Sequence, residues 1–179
     1  MLHTLAHWSI RIAALILLIM GISEVIKFKF ESLSQVKYNS KYITMAEREK
    51  QLACLSKNIY FEAGRESFEG KVAVAQVTIN RVNSGKFPSD LCDVVFQRTK
   101  VVDKIVCQFT WSCERGPMVK PNIHYTESQE VAKKVLLENF RLPSLQGAMY
   151  YHADYVNPNW NLPKITKIGR HIFYGERRT

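Results

Sequence analysis

The 179-residue sequence lacks the motifs of several large functional classes. It has no phosphate-binding loop of the Walker type, no paired zinc knuckle and no basic region that leads into heptads, so nucleic-acid binding would rest on charge alone. It has only 5 His and no H-E-x-x-H spacing, and we therefore expect neither a metal site nor a cofactor. Internal repeats and low-complexity runs are also absent. What remains is typical of one domain with an appended segment.

The charge is strongly positive. The chain has 25 Lys and Arg against 16 Asp and Glu, a formal net charge of +9. Such an excess suits a polyanionic partner, such as nucleic acid, anionic lipid or an acidic glycan. The cations are spread along the chain rather than gathered in a tail, so we favour a solvated basic surface and predict no nucleic-acid partner.

Apolar residues are plentiful. They make up 46% of the chain and include 8 Tyr, 9 Phe and 3 Trp, which is enough to bury a sizeable core. Disorder is therefore excluded as a description of the whole chain.

The N-terminus carries an apolar run from Ile12 to Ile22. Its eleven residues would rise only about 16 Å as a helix, short of the ~20 residues that a full span needs. This length fits a signal peptide or a signal anchor, with a helix packed on the domain or on a partner as the alternative. Four lysines follow the run: Lys27, Lys29, Lys37 and Lys41. By the positive-inside rule they favour a cytoplasmic position for the residues after the run, which is the opposite of the orientation that export requires.

Three segments follow from this pattern. Residues 1–26 are predicted to be the signal peptide or signal-anchor helix, residues 27–44 a polar linker, and residues 45–179 the folded domain. We expect an exported or membrane-anchored protein of the cell envelope, in contact with the membrane through its N-terminal segment and monomeric.

The chain has four cysteines, Cys54, Cys92, Cys107 and Cys113. Their spacing does not match a metal site, and disulfides are favoured if the domain is exported. Four cysteines allow three pairings, and the sequence does not choose among them. Four buried thiols are the alternative.

An apolar stripe leads to a glutamate. Leu52, Leu55, Ile59 and Glu62 follow one another at spacings of three, four and three, so Glu62 occupies the next place on one helix face. Gly64 favours the end of this helix, and Ser67 is a good N-cap for the next.

Further elements predict an α+β domain. Helices are expected at Phe68 to Val82, at Leu91 to Gln97, and from Glu127 to Phe140 with Thr126 as N-cap and Gln129 completing a capping box. A hairpin or irregular β segment is expected within residues 100–113, and extended segments at 147–153 and 167–175.

Glu62 is the candidate general acid. A carboxyl group on an apolar stripe loses hydration in its charged form, so its pKa should rise and it should hold a proton near neutral pH. The alternative is a structural pairing with Arg65 or Arg81, which is the commoner fate of a buried glutamate. Glu66 would share the face of Glu62 only if the helix continued past Gly64.

Several motifs then resemble one known family. NIYFEAGRESFEGKVAVAQVTINRVNSGKFP, CQFTWSC, GAMYYHADYVNPNW and IGRHIFY occur in the order found in the SleB-type cell wall hydrolases, over about Ala46 to Tyr174. The resemblance implies a mainly helical, lysozyme-like domain with small β elements. It also implies cleavage of the β-1,4 glycan strand of peptidoglycan, in the best-known members as a lytic transglycosylase. The family's catalytic acid falls on Glu62, which would serve as acid and then as base. The family's usual run is E-A-R-G-E, whereas Gly64 and Arg65 stand here in exchanged order.

Other residues of these motifs are candidates for contacts with the glycan. They are Glu66, Gln108, Phe109, Thr110, Tyr151 and His152. Core packing is the alternative for Phe109 and Trp111, and a structural role is favoured for His171.

The expected protein is thus a phage endolysin or a bacterial cell wall remodelling enzyme that acts on peptidoglycan glycan strands. A hydrolytic muramidase or glucosaminidase remains an alternative, and so does a non-catalytic glycan-binding module.

Overall fold

The computed structural model describes residues 16–25, 27, 44–114 and 118–177. Residues 16–25 are helical, with most of their apolar side chains exposed. Within the described residues, no helix is both long enough and apolar enough to cross a membrane. Most of the predicted linker, 27–44, and the first half of the predicted signal segment lie outside the described residues, so both stay predictions. Residues 44–179 form a compact unit of their own.

Two long helices form the centre of this unit. Helix α1 spans Met45–Ala63 and helix α2 spans Phe68–Asn83. The Ser67 side chain accepts a hydrogen bond from the backbone N–H of Gly70, which confirms the predicted N-cap. Residues from Gly70 to Ile79 of α2 are all buried, because this helix packs on more than one side.

The other helices are shorter or begin elsewhere than expected. Helix α3 spans Leu91–Val95 and helix α4 spans Ile123–Leu136. The prediction that α4 starts after Thr126 is wrong, because Asn122 caps the helix by accepting from the N–H of Tyr125. The Thr126 hydroxyl, one turn into the helix, donates instead to the Asn122 carbonyl at 3.3 Å.

Two small antiparallel sheets complete the fold. Strands β1 (Arg98–Val101) and β2 (Lys104–Cys107) form the predicted hairpin. Strands β3 (Tyr150–Ala153), β4 (Lys164–Ile168) and β5 (His171–Tyr174) form a sheet in the order β3-β5-β4. Short 3-10 helices lie at Thr110–Cys113 and Pro143–Leu145. The α+β prediction is confirmed.

Helix α2 separates two apolar clusters. On one side, its residues pack with α1, α3 and α4; this cluster includes Leu55, Ile59, Val72, Phe109 and Val135. On the other side, Ala73 and Val77 pack under the three-stranded sheet; this second cluster adds Leu145, Ala148 and Phe173. The three-stranded sheet therefore packs on the second cluster, and α1 packs on the first.

Both disulfides form. Cys54 on α1 is bonded to Cys92 on α3, and Cys107 at the end of β2 is bonded to Cys113. The structure thus selects one of the three pairings that the sequence allows.

We expect the two disulfides to differ in their contribution to stability. The Cys54–Cys92 bond closes a separation of 38 residues and the Cys107–Cys113 bond one of 6. Chain entropy then predicts losses of about 4 and about 2 kcal/mol in the free energy of unfolding. Chemical denaturation of Cys54→Ala/Cys92→Ala and Cys107→Ala/Cys113→Ala under oxidising conditions measures both. An inverted order would contradict this expectation.

Candidate functional site

Glu62 lies in the last turn of α1. Leu55 and Ile59 on the same stripe are fully buried, and Glu62 follows them half-buried at the edge of the core. The helix ends at Ala63, and the Gly64 N–H still donates to the Tyr60 carbonyl at 3.1 Å. A Cβ at Gly64 would collide with that same carbonyl oxygen, so a larger residue here would require the helix end to shift. The helix therefore ends one residue after Glu62, which lies at the edge of the core.

Tyr151 is the hydrogen-bond partner of Glu62. Its hydroxyl donates to Glu62 Oε2 at 2.9 Å, across 89 residues of sequence. The Tyr151 ring is held by an edge-to-face contact with His171, at 5.2 Å between ring centroids, and by Phe173 at 5.6 Å. Burial, together with the nearby Glu62, raises the pKa of Tyr151 well above its usual range. The hydroxyl consequently keeps its proton and acts as a donor.

The surroundings raise the pKa of Glu62. Burial is the largest cause, because it disfavours the charged carboxylate. The Tyr151 hydrogen bond and the positive charge of Arg81 act in the opposite direction and limit the rise. The carboxyl group can therefore hold a proton above the usual pH range of a glutamate, yet its charged form also has two stabilising neighbours.

Arg81 is a buried cation beside this pair. Its Nε donates to the Met149 carbonyl at 2.8 Å, two residues before Tyr151. Its guanidinium lies 5.2 Å from the centroid of the Phe87 ring and 5.4 Å from that of Phe109. Within the part of the chain described, its Nη1 has no hydrogen-bond partner. The sequence suggested Arg81 only as a structural partner of Glu62, and its aromatic surroundings had no sequence signal.

Glu66 has a different environment from Glu62. Its Oε2 accepts a hydrogen bond from the backbone N–H of Arg170 at 3.2 Å, in the turn between β4 and β5. A Cβ at Gly169 would collide with the same oxygen, and Gly169 has a φ of 56°. The Glu66 carboxylate thus caps this turn, and its contact with a glycan stays a prediction.

The CQFTWSC motif lies next to the end of α1 that carries Glu62. Phe109 is buried in the core, as the packing alternative expected, while Gln108 is half-buried and Thr110 exposed. Trp111 stacks on Phe61, the residue before Glu62, with 4.7 Å between ring centroids. Gln108 and Thr110 therefore stay predicted glycan contacts, whereas Phe109 is buried in the core.

The two histidines of the later motifs lie on opposite faces of the sheet. His152 alternates with Tyr151 along β3, and its Nε2 lies 2.9 Å from the Tyr174 hydroxyl. It is thus turned away from the Tyr151 face, and its role in substrate binding stays a prediction. His171 is buried on the Tyr151 face, where burial lowers its pKa and favours the neutral ring. Its structural role stays a prediction.

Comparison with known proteins places this architecture in a family. A family model described as Cell Wall Hydrolase matches residues 65–174, more than half of the chain, and begins three residues after Glu62. The spore cortex-lytic enzyme of Bacillus subtilis strain 168 is 32% identical over 123 residues, which cover 66% of this chain and 35% of that protein. The spore cortex-lytic enzyme of Bacillus cereus is 30% identical over 129 residues, 70% of this chain and 44% of that protein. The chain thus spans less than half the length of these curated relatives.

Two solved structures are similar over most of their own length. The catalytic domain of the Bacillus cereus SleB protein is 28% identical, with a TM-score of 0.53 and coverage of 70% of this chain and 90% of that one. The catalytic domain of the germination-specific lytic transglycosylase SleB from Bacillus anthracis is 29% identical, with the same TM-score and coverage of 70% and 94%. The motifs, the fold and the match over residues 65–174 agree, and the chain belongs to the cell wall hydrolase family.

Proposed function

We propose that this chain degrades peptidoglycan by cutting the β-1,4 bond between MurNAc and GlcNAc, as a lytic transglycosylase with Glu62 as its catalytic acid and base. The observation that carries the proposal is the partly buried Glu62 carboxyl group, with the Tyr151 hydroxyl 2.9 Å from its Oε2. Membership of the family supports the substrate class. The description of the Bacillus anthracis structure as a lytic transglycosylase supports the type of cleavage.

The first step needs the protonated form of Glu62. The carboxyl group donates its proton to the glycosidic oxygen as the bond from that oxygen to C1 of MurNAc breaks. The GlcNAc side leaves with the proton as a hydroxyl group, and positive charge develops on the MurNAc ring. The resulting Glu62 carboxylate is stabilised by the Tyr151 hydrogen bond and by the charge of Arg81.

The second step uses the carboxylate as a base. Glu62 removes the proton from the C6 hydroxyl of the same MurNAc, and the oxygen forms a bond to C1. The product has a 1,6-anhydro end, no water is consumed, and Glu62 regains the proton that it lost. The cycle needs only one carboxyl group. This agrees with the position of the Glu66 carboxylate, which accepts a hydrogen bond from the Arg170 N–H at the β4–β5 turn.

The same proposal also implies where the protein is located. Peptidoglycan lies outside the cytoplasm, where disulfides such as Cys54–Cys92 and Cys107–Cys113 persist. The net charge of +9 suits a wall rich in carboxylates and phosphates. We therefore propose an extracytoplasmic location, with export or anchoring through the N-terminal segment, in a phage or a bacterial context.

Glu62→Gln should abolish turnover without unfolding the protein. Glutamine can still accept the Tyr151 hydrogen bond but cannot donate a carboxyl proton, and loss of a general acid costs about 10²- to 10⁴-fold. The measurement is the release of soluble muropeptides from purified peptidoglycan, with circular dichroism to confirm the fold. Glu69→Gln, at an exposed glutamate in the first turn of α2, is the matched control, and we expect it to keep activity. Activity retained by Glu62→Gln would refute the assignment.

The chemistry of the released ends should distinguish the candidate functions. We expect anhydro-MurNAc ends by mass spectrometry. Reducing ends would support the hydrolytic muramidase or glucosaminidase. Binding to peptidoglycan without release from any of several wall types would support the glycan-binding module.

Tyr151→Phe should move the alkaline limb of the pH–rate profile to higher pH. Glu62 must be protonated for the first step, so the rate falls as pH rises through its pKa. The Tyr151 hydrogen bond lowers that pKa, and its removal raises it further. Tyr150→Phe on the other face of β3 is the control and should leave the limb in place. A limb that stays fixed or moves to lower pH in Tyr151→Phe would exclude this role for the hydroxyl.

A further inference from the structure

The β1–β2 hairpin exposes apolar side chains on both of its faces. All eight of its strand residues except Cys107 are exposed. Four of its residues are aliphatic with large exposed fractions: Val101 52%, Val102 84%, Ile105 65% and Val106 51%. A two-stranded hairpin with no covered face is marginally stable in water, and large aliphatic side chains exposed together at one tip mark a candidate interaction surface.

The base of the hairpin is fastened, so its tip is held out from the domain. The Cys107–Cys113 disulfide joins the end of β2 to the following 3-10 helix. Arg98 Nη2 donates to the Ser112 carbonyl at 3.2 Å, and the Gln108 N–H donates to the Gln97 carbonyl at 2.9 Å. These contacts all lie at the base and leave the aliphatic tip uncovered.

The backbone at the tip is strained. Val102 has a φ of 55°, in the left-handed region that favours glycine or asparagine. A β-branched residue there is an outlier, and such outliers concentrate where a loop contacts a ligand or a partner. Here the strained position is occupied by a valine with an exposed side chain, not by a glycine.

The charge around the tip narrows the class of partner. Arg98, Lys100 and Lys104 lie in the hairpin against one acid, Asp103. This excess favours an anionic surface and opposes the pairing of two copies of the hairpin. Sugar rings stack on aromatic faces, and this tip has none, whereas aliphatic side chains flanked by lysines suit the boundary between lipid headgroups and acyl chains.

We propose that the tip of the β1–β2 hairpin binds the surface of an anionic phospholipid bilayer. Val101, Val102 and Ile105 enter the boundary of the acyl chains, while Lys100 and Lys104 contact lipid phosphates. This contact is separate from the glycosidase activity and from any contact made by the N-terminal segment.

The test is hydrogen exchange of the backbone amides of residues 98–107 in the full chain, because this readout is local to the hairpin. Vesicles of phosphatidylglycerol mixed with phosphatidylcholine should slow this exchange. Vesicles of phosphatidylcholine alone should need a roughly thirtyfold higher lipid concentration, since two lysines lie near the surface. Equal protection by both lipids, or none by either, would overturn the proposal.

Matched variants separate the apolar contribution from the charge. Val101→Thr/Val102→Thr/Ile105→Thr keeps the branched shape of the two valines and should remove the protection, whereas the control Val156→Thr at another exposed valine should retain it. Lys100→Gln/Lys104→Gln should remove the preference for anionic lipid. Protection by soluble glycan fragments would instead make the hairpin part of a glycan-binding surface. Protection that grows with protein concentration in the absence of lipid would indicate self-association. Either result would refute lipid binding.

Discussion

The hydrogen bond from Tyr151 to Glu62 is the contact on which the candidate site depends. It joins the last turn of α1 to strand β3, whose Tyr151 side chain packs against both apolar clusters. The bond forms only if both apolar clusters place their elements correctly, because a shift of about 1 Å is enough to weaken a hydrogen bond steeply. Glu62 is therefore positioned by the packing of the whole domain rather than by its own helix alone.

Burial and charge oppose each other at this contact. Burial raises the pKa of Glu62, while Tyr151 and Arg81 lower it. A site with burial alone would hold the proton too firmly, and a site with strong partners alone would lose it in the resting state. Arg81 is itself buried among aromatic rings, so its charge is weakly screened by solvent. This balance suits a group that must donate a proton and then take one back.

The sequence predicted features that arise from local patterns. The stripe Leu52, Leu55, Ile59 placed Glu62 at the edge of the core, and the Ser67 cap was found from its neighbours alone. Contacts between distant residues had no such signal in the sequence. Neither the Tyr151–Glu62 hydrogen bond nor the packing of aromatic rings around Arg81 follows from residue spacing. The start of α4 was misplaced because Asn122 and Thr126 are both good caps, and tertiary contacts decide between them. One of these is the bond from Asn122 Nδ2 to the Tyr60 hydroxyl at 3.0 Å. The strand β4 was missed because the Gly169 turn divides what looked like one extended segment.

The long separation between Glu62 and Tyr151 has a consequence during biosynthesis. The ribosome produces Glu62 well before Tyr151, 89 residues later in the chain, and before the sheet that carries it. Until β3 has emerged and docked, Glu62 lacks its hydrogen bond to Tyr151. A nascent or truncated chain thus contains Glu62 without the surroundings that raise its pKa. Completion of the polypeptide is the step that assembles the candidate site.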